Sequence, residues 1–202
     1  MAGNRRPSNR MGILMDTSVC VACYACRVSC QTHHGLPTEQ TYVSLKFRDK
    51  GTFPNTESHL ARSSCMHCAD APCVTACPVN VLHTNAQGFV NFVDDNNEGC
   101  IGCDFCLRAC PYNIPKVVAG KMYKCTGCED LVALGQEPTC VDTCLTNALQ
   151  YGPIDELVAK ANQRLLHIRA KYPDANLYSV TQQGGLGLLM ILRITAVEFP
   201  LT

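Results

Sequence analysis

The sequence predicts a small α+β fold in which short strands and one C-terminal helix frame a set of cysteine-rich loops. Cysteine accounts for 16 of the 202 residues and occurs in four groups of four. Residues 88–95 alternate between apolar and polar side chains, as a half-buried strand does. Residues 153–171 carry apolar side chains at helical spacing and are followed by Pro173, which predicts a helix that ends before this proline.

Shorter strands are expected beside the cysteine loops. The apolar residues between Gly12 and Thr17 predict a strand that leads into the first group, and residues 35–64 are interpreted as a turn-rich insertion with a strand at 41–47. Met122 and Tyr123 predict the edge that pairs with strand 88–95. The apolar stripe of the helix is interpreted as packing against the core; it comprises Ile154, Leu157, Val158, Ala161, Leu165 and Ile168.

Composition and charge exclude several classes of function. Lysine plus arginine equals aspartate plus glutamate at 17 each, so no nucleic acid and no acidic membrane surface is expected as a partner. No apolar run approaches the ~20 residues of a membrane-spanning helix, and residues 1–12 predict a flexible basic tail without an export signal. No nucleotide-binding glycine motif and no nucleophile–base pair is recognised, so the chain is not expected to be an enzyme by itself.

The cysteine spacing is ordered. The first and third groups follow C-x2-C-x2-C-x3-C, the second follows C-x2-C-x4-C-x3-C, and the fourth consists of two pairs separated by eleven residues. No cysteine is left over. The groups are Cys20, Cys23, Cys26 and Cys30; Cys65, Cys68, Cys73 and Cys77; Cys100, Cys103, Cys106 and Cys110; and Cys125, Cys128, Cys140 and Cys144.

This spacing favours iron–sulfur clusters over the other uses of cysteine. Three thiolates two residues apart on a curled loop can each reach a different iron of one cubane, while the fourth ligates the other cluster of a pair, as in bacterial two-cluster ferredoxins. A disulfide framework is typical of shorter secreted chains with a leader. Structural zinc requires separated C-x2-C pairs, which suits only the fourth group. The sequence therefore predicts four [4Fe–4S] clusters.

Four motifs resemble those of the four-cluster iron–sulfur subunits of molybdenum- or tungsten-pterin oxidoreductases: CVACYACRVSC (20–30), CMHCADAPCVTACP (65–78), CIGCDFCLRACPYNIP (100–115) and KCTGCEDLVALGQEPTC (124–140). This group includes the small subunits of dimethyl sulfoxide, polysulfide and arsenate reductases, formate dehydrogenases and tungsten aldehyde oxidoreductases. The resemblance covers about residues 11–152, and the tail at 176–192 resembles the C-terminal strand of formate-dehydrogenase-type members.

The resemblance implies two ferredoxin-like modules, each holding two clusters. It places an outer module at 13–34 plus 121–152, an inner module at 60–120 and a C-terminal helix and strand extension at 153–202. The implied ligands are Cys20, Cys23, Cys26 and Cys144 for cluster 1, Cys30, Cys125, Cys128 and Cys140 for cluster 2, Cys65, Cys68, Cys73 and Cys110 for cluster 3, and Cys77, Cys100, Cys103 and Cys106 for cluster 4.

Two positions distinguish this chain within that group. Some members have tryptophan in the third group and carry a three-iron cluster, whereas Cys103 is present here, so four cubanes are expected. The fourth group usually ends in cysteine–proline, whereas this chain has Cys144 followed by Leu145. Because proline there only helps the chain to turn away, altered local geometry is expected rather than a lost ligand.

The resemblance also implies partners. The chain is expected to relay electrons in anaerobic metabolism between a large molybdenum- or tungsten-pterin catalytic subunit and a second redox subunit or carrier. The alternative is a free-standing polyferredoxin, which would be expected to be strongly acidic in order to dock by electrostatic steering. A cytoplasmic location is expected, with periplasmic export on a partner as the alternative. The substrate and the direction of electron flow depend on the partner.

A few residues beside the cysteines are candidates for lesser roles. Backbone N–H groups of the loops, helped by Gly102 and Gly127, are expected to donate hydrogen bonds to sulfur. Arg27, Arg108 and Lys124 adjoin cysteines and are interpreted as solvated charges. His67 is not expected to be a ligand, because its group already has four cysteines, and His33–His34 is interpreted as a surface loop.

Overall fold

The computed structural model describes residues 10–93, 97–178 and 180–195, and these residues form an α+β fold of short elements. The strands are β1 (Met11–Asp16), β2 (Ser44–Thr52), β3 (Asn55–Ser63), β4 (Leu82–Thr84), β5 (Val90–Phe92), β6 (Lys116–Val118), β7 (Lys121–Tyr123), β8 (Leu149–Pro153), β9 (Asn176–Tyr178) and β10 (Leu188–Leu192). The α-helices are α1 (Ala25–His33), α2 (Pro72–Thr75), α3 (Phe105–Ala109), α4 (Glu129–Ala133), α5 (Thr139–Asp142) and α6 (Ile154–Ile168).

A four-stranded sheet with the order β8-β1-β10-β9 is the main framework. β1 pairs antiparallel with β8 and parallel with β10, so that Ile13 lies opposite Leu188. Every residue of β10 is buried. Alternate side chains point to opposite faces, so Met190 packs towards the cysteine loops while Ile191 packs under α6. Burial on both faces explains why β10 reads as a continuous apolar run.

Helix α6 confirms the helix predicted at 153–171, although it ends at Ile168. Pro153 is the N-cap residue, and Asp155 in the first turn is favourable at the positive end of the helix dipole. Leu157 and Leu165 are buried on the face towards the sheet, where they belong to the same cluster as Leu14. The interpretation of the apolar stripe as core packing is confirmed.

The insertion at 35–64 contains a long hairpin, which the turn-rich composition did not predict. β2 and β3 pair without interruption from Ser44 opposite Ser63 to Thr52 opposite Asn55. The tip of the hairpin is exposed, whereas residues 59–62 near its base are buried. The strand predicted at 41–47 was therefore placed too early, because the sequence signal there lacks the cross-strand partner that extends β2 to Thr52.

Two hairpins with strands of three residues flank the second and third cysteine groups. β4 pairs with β5, and β6 pairs with β7. The prediction that Met122 and Tyr123 pair with strand 88–95 was wrong. Ala119 and Gly120 both have left-handed backbone conformations, which close a tight turn between β6 and β7 and give β7 its local partner.

The two ends of the chain are more closely integrated than predicted. Residues 1–9 of the expected tail lie outside the described residues, but β1 already begins at Met11 and Arg10 is buried, donating hydrogen bonds to the carbonyls of Gly185 and His67. In the C-terminal extension, β10 lies between β1 and β9 and so belongs to the same sheet as β8. Among the described residues, the structure has no helix of the length and apolar character needed to span a bilayer.

Candidate iron–sulfur site

The four cysteine loops share one backbone feature. In each group, the second residue after the first cysteine has a left-handed conformation, with φ of 55° at Ala22, 46° at His67, 65° at Gly102 and 74° at Gly127. This conformation favours glycine, yet only two of the four positions are glycine. The curl brings the neighbouring cysteines to one side of each loop, and the loops are therefore built alike despite differing in sequence.

The first predicted ligand set lies around one cavity. Cys20, Cys23, Cys26 and Cys144 all line it, and Met15 and Leu45 complete its apolar wall. Cys144 reaches this set from the end of α5, more than a hundred residues away in the sequence. The sulfurs of Cys20 and Cys144 are close enough to interact electrostatically.

The second predicted set is more deeply buried. Cys30, Cys125, Cys128 and Cys140 are all buried, and Cys30 interacts electrostatically with each of the other three. Helices α1 and α5 pack side by side and bring Cys30 to Cys140, and Ser29 on α1 hydrogen-bonds Thr139 on α5.

The third and fourth predicted sets lie around the small hairpins. Cys68 interacts electrostatically with Cys65, Cys73 and Cys110. A separate apolar cavity, walled partly by Met122 of β7, is lined by Cys77, Cys100, Cys103 and Cys106. The structure thus brings together the members of each of the four predicted sets.

Sulfurs of different sets lie near one another in an order that places the sets in a row. Cys26 of the first set interacts with Cys140 of the second. Cys125 of the second interacts with Cys65 of the third. Cys73 of the third interacts with Cys106 of the fourth. Each set therefore neighbours the next, in the order first, second, third, fourth.

The protonation of the thiols fits a metal-binding role. All sixteen cysteines are free. Burial raises the pKa of Cys68 and Cys128 to about 12 and that of Cys73 and Cys125 to about 11, and neighbouring sulfurs add to this effect. Thiols with such pKa values are protonated at neutral pH until a metal displaces the protons. Sulfurs brought together in sets of four and held without disulfides suit cubane clusters.

Backbone donors reach some of the sulfurs. The N–H of Gly127 donates to Cys125 Sγ at 3.4 Å, as predicted for this loop, and the N–H of Met122 donates to Cys100 Sγ at 3.4 Å. Gly102 has a different importance: a Cβ there would lie 2.7 Å from the carbonyl oxygen of Gly120. Glycine at this position permits β7 and its turn to approach the third loop.

Several polar residues near the sulfurs differ from their predicted environment. Lys124, predicted as a solvated charge, is 1% exposed; its Nζ donates to the carbonyls of Val90 and Cys125. His67 is buried, and its Nδ1 accepts a hydrogen bond from the N–H of Val90. Burial and the nearby Lys124 lower the pKa of His67 well below its ordinary value, so the ring is neutral.

The predicted surface turn at His33–His34 also contacts the site. His34 Nε2 lies 3.7 Å from Cys128 Sγ, and the ring packs against Tyr42. His33 Nε2 lies 2.8 Å from Asp130. His33, His34 and Cys128 are close enough to hold an ion together, but Cys128 already belongs to the second set. Sequence reasoning missed this contact because His34 and Cys128 are 94 residues apart.

Comparisons with known proteins agree with this arrangement. The family model of the 4Fe-4S dicluster domain matches residues 57–154. The nitrate-inducible formate dehydrogenase iron–sulfur subunit of Escherichia coli (strain K12) is 33% identical over 200 residues, covering 89% of this chain and 67% of the relative. The B subunit of the anaerobic dimethyl sulfoxide reductase of Haemophilus influenzae is 38% identical over 160 residues, covering 74% of this chain and 77% of the relative.

The chain belongs to this family of iron–sulfur subunits. It spans about two thirds of the length of the formate dehydrogenase subunits that it matches. The dicluster match, the sixteen cysteines and the family together support four [4Fe–4S] clusters as its cofactors. The resemblance inferred from the cysteine motifs is confirmed. As an iron–sulfur subunit of the formate dehydrogenase and dimethyl sulfoxide reductase type, the chain is an electron-transfer protein.

Proposed function

We propose that this iron–sulfur subunit relays electrons between a catalytic subunit that carries a molybdenum- or tungsten-pterin cofactor and a second redox partner. When bound, each [4Fe–4S] cluster accepts and returns one electron. The observation that carries the proposal is the order of the cysteine sets, in which neighbouring sulfurs connect the first set to the fourth through the second and third. We infer that the two ends of this row lie at separate surfaces, because the cavities of the first and fourth sets have no lining residue in common.

The proposed ligands follow the sets described above. Cysteines 20, 23, 26 and 144 would hold the first cluster, and cysteines 30, 125, 128 and 140 the second. Cysteines 65, 68, 73 and 110 would hold the third, and cysteines 77, 100, 103 and 106 the fourth. In this assignment each module exchanges one ligand between its two clusters, which couples the folding of the two loops in the module to metal binding.

The cysteines at the two ends of the row are less buried than those in its middle, which suits partner binding. Beside the first set, Val21 is 65% exposed and Leu145 is 85% exposed; beside the fourth, Ile101 is 63% exposed. The cysteines of the second set are buried. Exposed apolar residues next to a redox site are expected where another protein seals the site from water. We infer that each end faces a different partner.

A free-standing carrier is not favoured. The relatives are named as subunits of formate dehydrogenases and dimethyl sulfoxide reductases, and the chain has no net charge with which to steer towards several partners. The catalytic residues of the complex would then lie on the partner. The cytoplasmic location and the two-module division stay predictions.

Anoxic purification of the chain with the proteins that accompany it tests the proposal. About 16 irons per chain together with molybdenum or tungsten on a large second chain would support it, and the metal would narrow the class of substrate. The same iron on a chain that purifies alone would favour the free carrier. Zinc without sulfide would contradict the cluster assignment.

Surface variants test the two ends separately. Leu145→Glu and Ile101→Glu each place a charge beside one end set, and each is expected to release one partner while retaining the other. Leu166→Glu is a matched control, because Leu166 is equally apolar and is 73% exposed on α6, away from both end cavities. Retention of both partners by both end variants would contradict the assignment of the ends.

A further inference from the structure

A buried arginine lies between the first and second cysteine sets. Arg62, near the end of β3, is 1% exposed and is among the largest fully buried side chains. A buried guanidinium without a nearby anion is unfavourable, and such groups normally pair with a carboxylate. Among the ion pairs of the described residues, none joins Arg62 to an acidic side chain.

Sulfur takes the place of the carboxylate. Nη1 of Arg62 donates to Cys140 Sγ at 3.4 Å, and Nε donates to Ser64 Oγ at 2.9 Å, which fixes the direction of the side chain. The same arginine lines the cavity of the first set together with Cys26. One guanidinium therefore contacts the second set and borders the first.

The sulfurs near Arg62 belong to the first and second sets, which are called the outer sets below. It interacts electrostatically with Cys26 and Cys30 as well as with Cys125 and Cys140. A cubane held by four thiolates carries net negative charge and becomes more negative when it is reduced. A fixed cation nearby favours the reduced form, and its effect is larger in a buried site because water and salt screen it less.

We propose that Arg62 is the fixed cation that raises the reduction potentials of the clusters held by the first and second cysteine sets. The inference rests on the proposed assignment of those two sets. It separates the first and second clusters (the outer pair) from the third and fourth (the inner pair), because Arg62 hydrogen-bonds Cys140 of the second set and lines the cavity of the first set but not that of the fourth.

Potentiometric titration followed by electron paramagnetic resonance tests the role on the anoxically purified complex. In Arg62→Gln, two of the chain's four reduction potentials should fall by about 59 mV each. For a one-electron couple, this is about a tenfold decrease in the equilibrium constant for reduction. The other two should stay at their wild-type values. Arg62→Lys keeps the charge but loses the planar guanidinium and its fixed set of N–H donors. It should shift the same two potentials by less.

Arg108→Gln provides the matched control. Arg108 lies between Cys106 and Cys110 in the sequence but is exposed, so its charge is screened by water and salt. It should leave all four potentials unchanged. A fully iron-loaded Arg62→Gln variant with four unchanged potentials, or with all four shifted equally, would overturn the inference about Arg62.

Iron content distinguishes a variant that fails to hold its clusters from a failure of the inference about Arg62. If Arg62→Gln does not retain its iron, wild-type protein labelled with ¹⁵N-arginine decides: ¹⁵N hyperfine coupling to a reduced outer cluster supports the contact, and its absence overturns it. If the wild-type chain itself shows fewer than four potentials, the cluster assignment has failed, not only the role of Arg62.

Discussion

The two outer cysteine sets (the first and second) and the two inner sets (the third and fourth) contain eight cysteines each but have very different surroundings. The first and second sets lie against the four-stranded sheet and beneath a hairpin that contributes a buried arginine. Two hairpins whose strands have three residues each flank the third and fourth sets, and the loop of the second cysteine group also hydrogen-bonds the start of β10 through the carbonyl of Met66. Lys124 is a buried cation that interacts electrostatically with Cys73, and its ammonium is bound to two carbonyl oxygens rather than to sulfur.

This difference separates two roles of the sequence. The cysteines and the left-handed residue within each loop determine where a cluster can bind. The surrounding strands and buried charges determine how stable the empty loops are and how readily each bound cluster accepts an electron. Clusters with identical ligands are therefore expected to differ between the two halves of this chain.

Removal of iron should produce the largest difference in stability between the small hairpins and the four-stranded sheet. With a chelator under anoxic, reducing conditions, the amides of β4–β5 and β6–β7 should exchange at nearly the rates of an unfolded chain, because these hairpins have little support of their own. The amides of β1 and β10 should stay protected by the sheet and α6. Hydrogen exchange with mass spectrometry measures both, and equal loss of protection in the two regions would contradict the distinction.

The support from α6 can be weakened directly. Leu165→Ala removes a side chain that is 3% exposed and packs against the sheet, and should lower the free energy of unfolding of the sheet region by about 2–5 kcal/mol. Leu166→Ala, at a position that is 73% exposed, should change it by less than about 0.5 kcal/mol. Anoxic urea unfolding followed by circular dichroism compares them, and similar midpoints for the two variants would refute the packing role of this face.

Two glycines with the same backbone conformation isolate the packing of a cysteine loop. Gly127 and Gly135 both have φ of 74°, so replacement by alanine strains each by roughly 1–2 kcal/mol. A Cβ at Gly127 would also lie 2.8 Å from the ring of Phe89, whereas nothing lies within 4 Å at Gly135. Gly127→Ala should therefore be less stable than Gly135→Ala by about 1–3 kcal/mol. Equal urea midpoints would show that the Phe89 contact is unimportant.

The smallest effect is expected from the inner cation. Lys124→Met removes a charge that interacts with Cys73, but that charge is already shared with two carbonyls. The equilibrium constant for reduction of the third cluster should fall about threefold, so its reduction potential should shift by less than the potentials affected by Arg62→Gln. The same potentiometric titration measures it, and a larger shift than that of Arg62→Gln would reverse the comparison between the two halves.

Patterns within short stretches of the sequence predicted the features that are determined by residues close together in the chain. The cysteine groups, the strand at β1 and helix α6 were all visible, because spacing and periodicity encode them directly. Arg62 was missed because it contacts a cysteine 78 residues away and lies in a segment without a cysteine. Lys124 was assigned to solvent because its contacts in β5, the carbonyl of Val90 and the ring of Phe92, are more than thirty residues away in the sequence.

The sequence also could not predict which strands and cysteines pair when they are far apart in the chain. The parallel alignment of β1 with β10 joins residues about 175 positions apart, and nothing in either strand specifies the partner. The cysteine sets show the same limit, since Cys144 joins Cys20 only through the fold. The resemblance to a family supplied these sets, whereas the buried charges around them required the structure.

Native mass spectrometry of the anoxically prepared complex tests the four-cluster row most directly. The released iron–sulfur subunit should carry the added mass of four [4Fe–4S] clusters, and Cys144→Ala should lose one cluster while leaving the other three. An added mass of fewer than four clusters in the wild-type chain, or of zinc in place of iron and sulfide, would contradict the proposed relay.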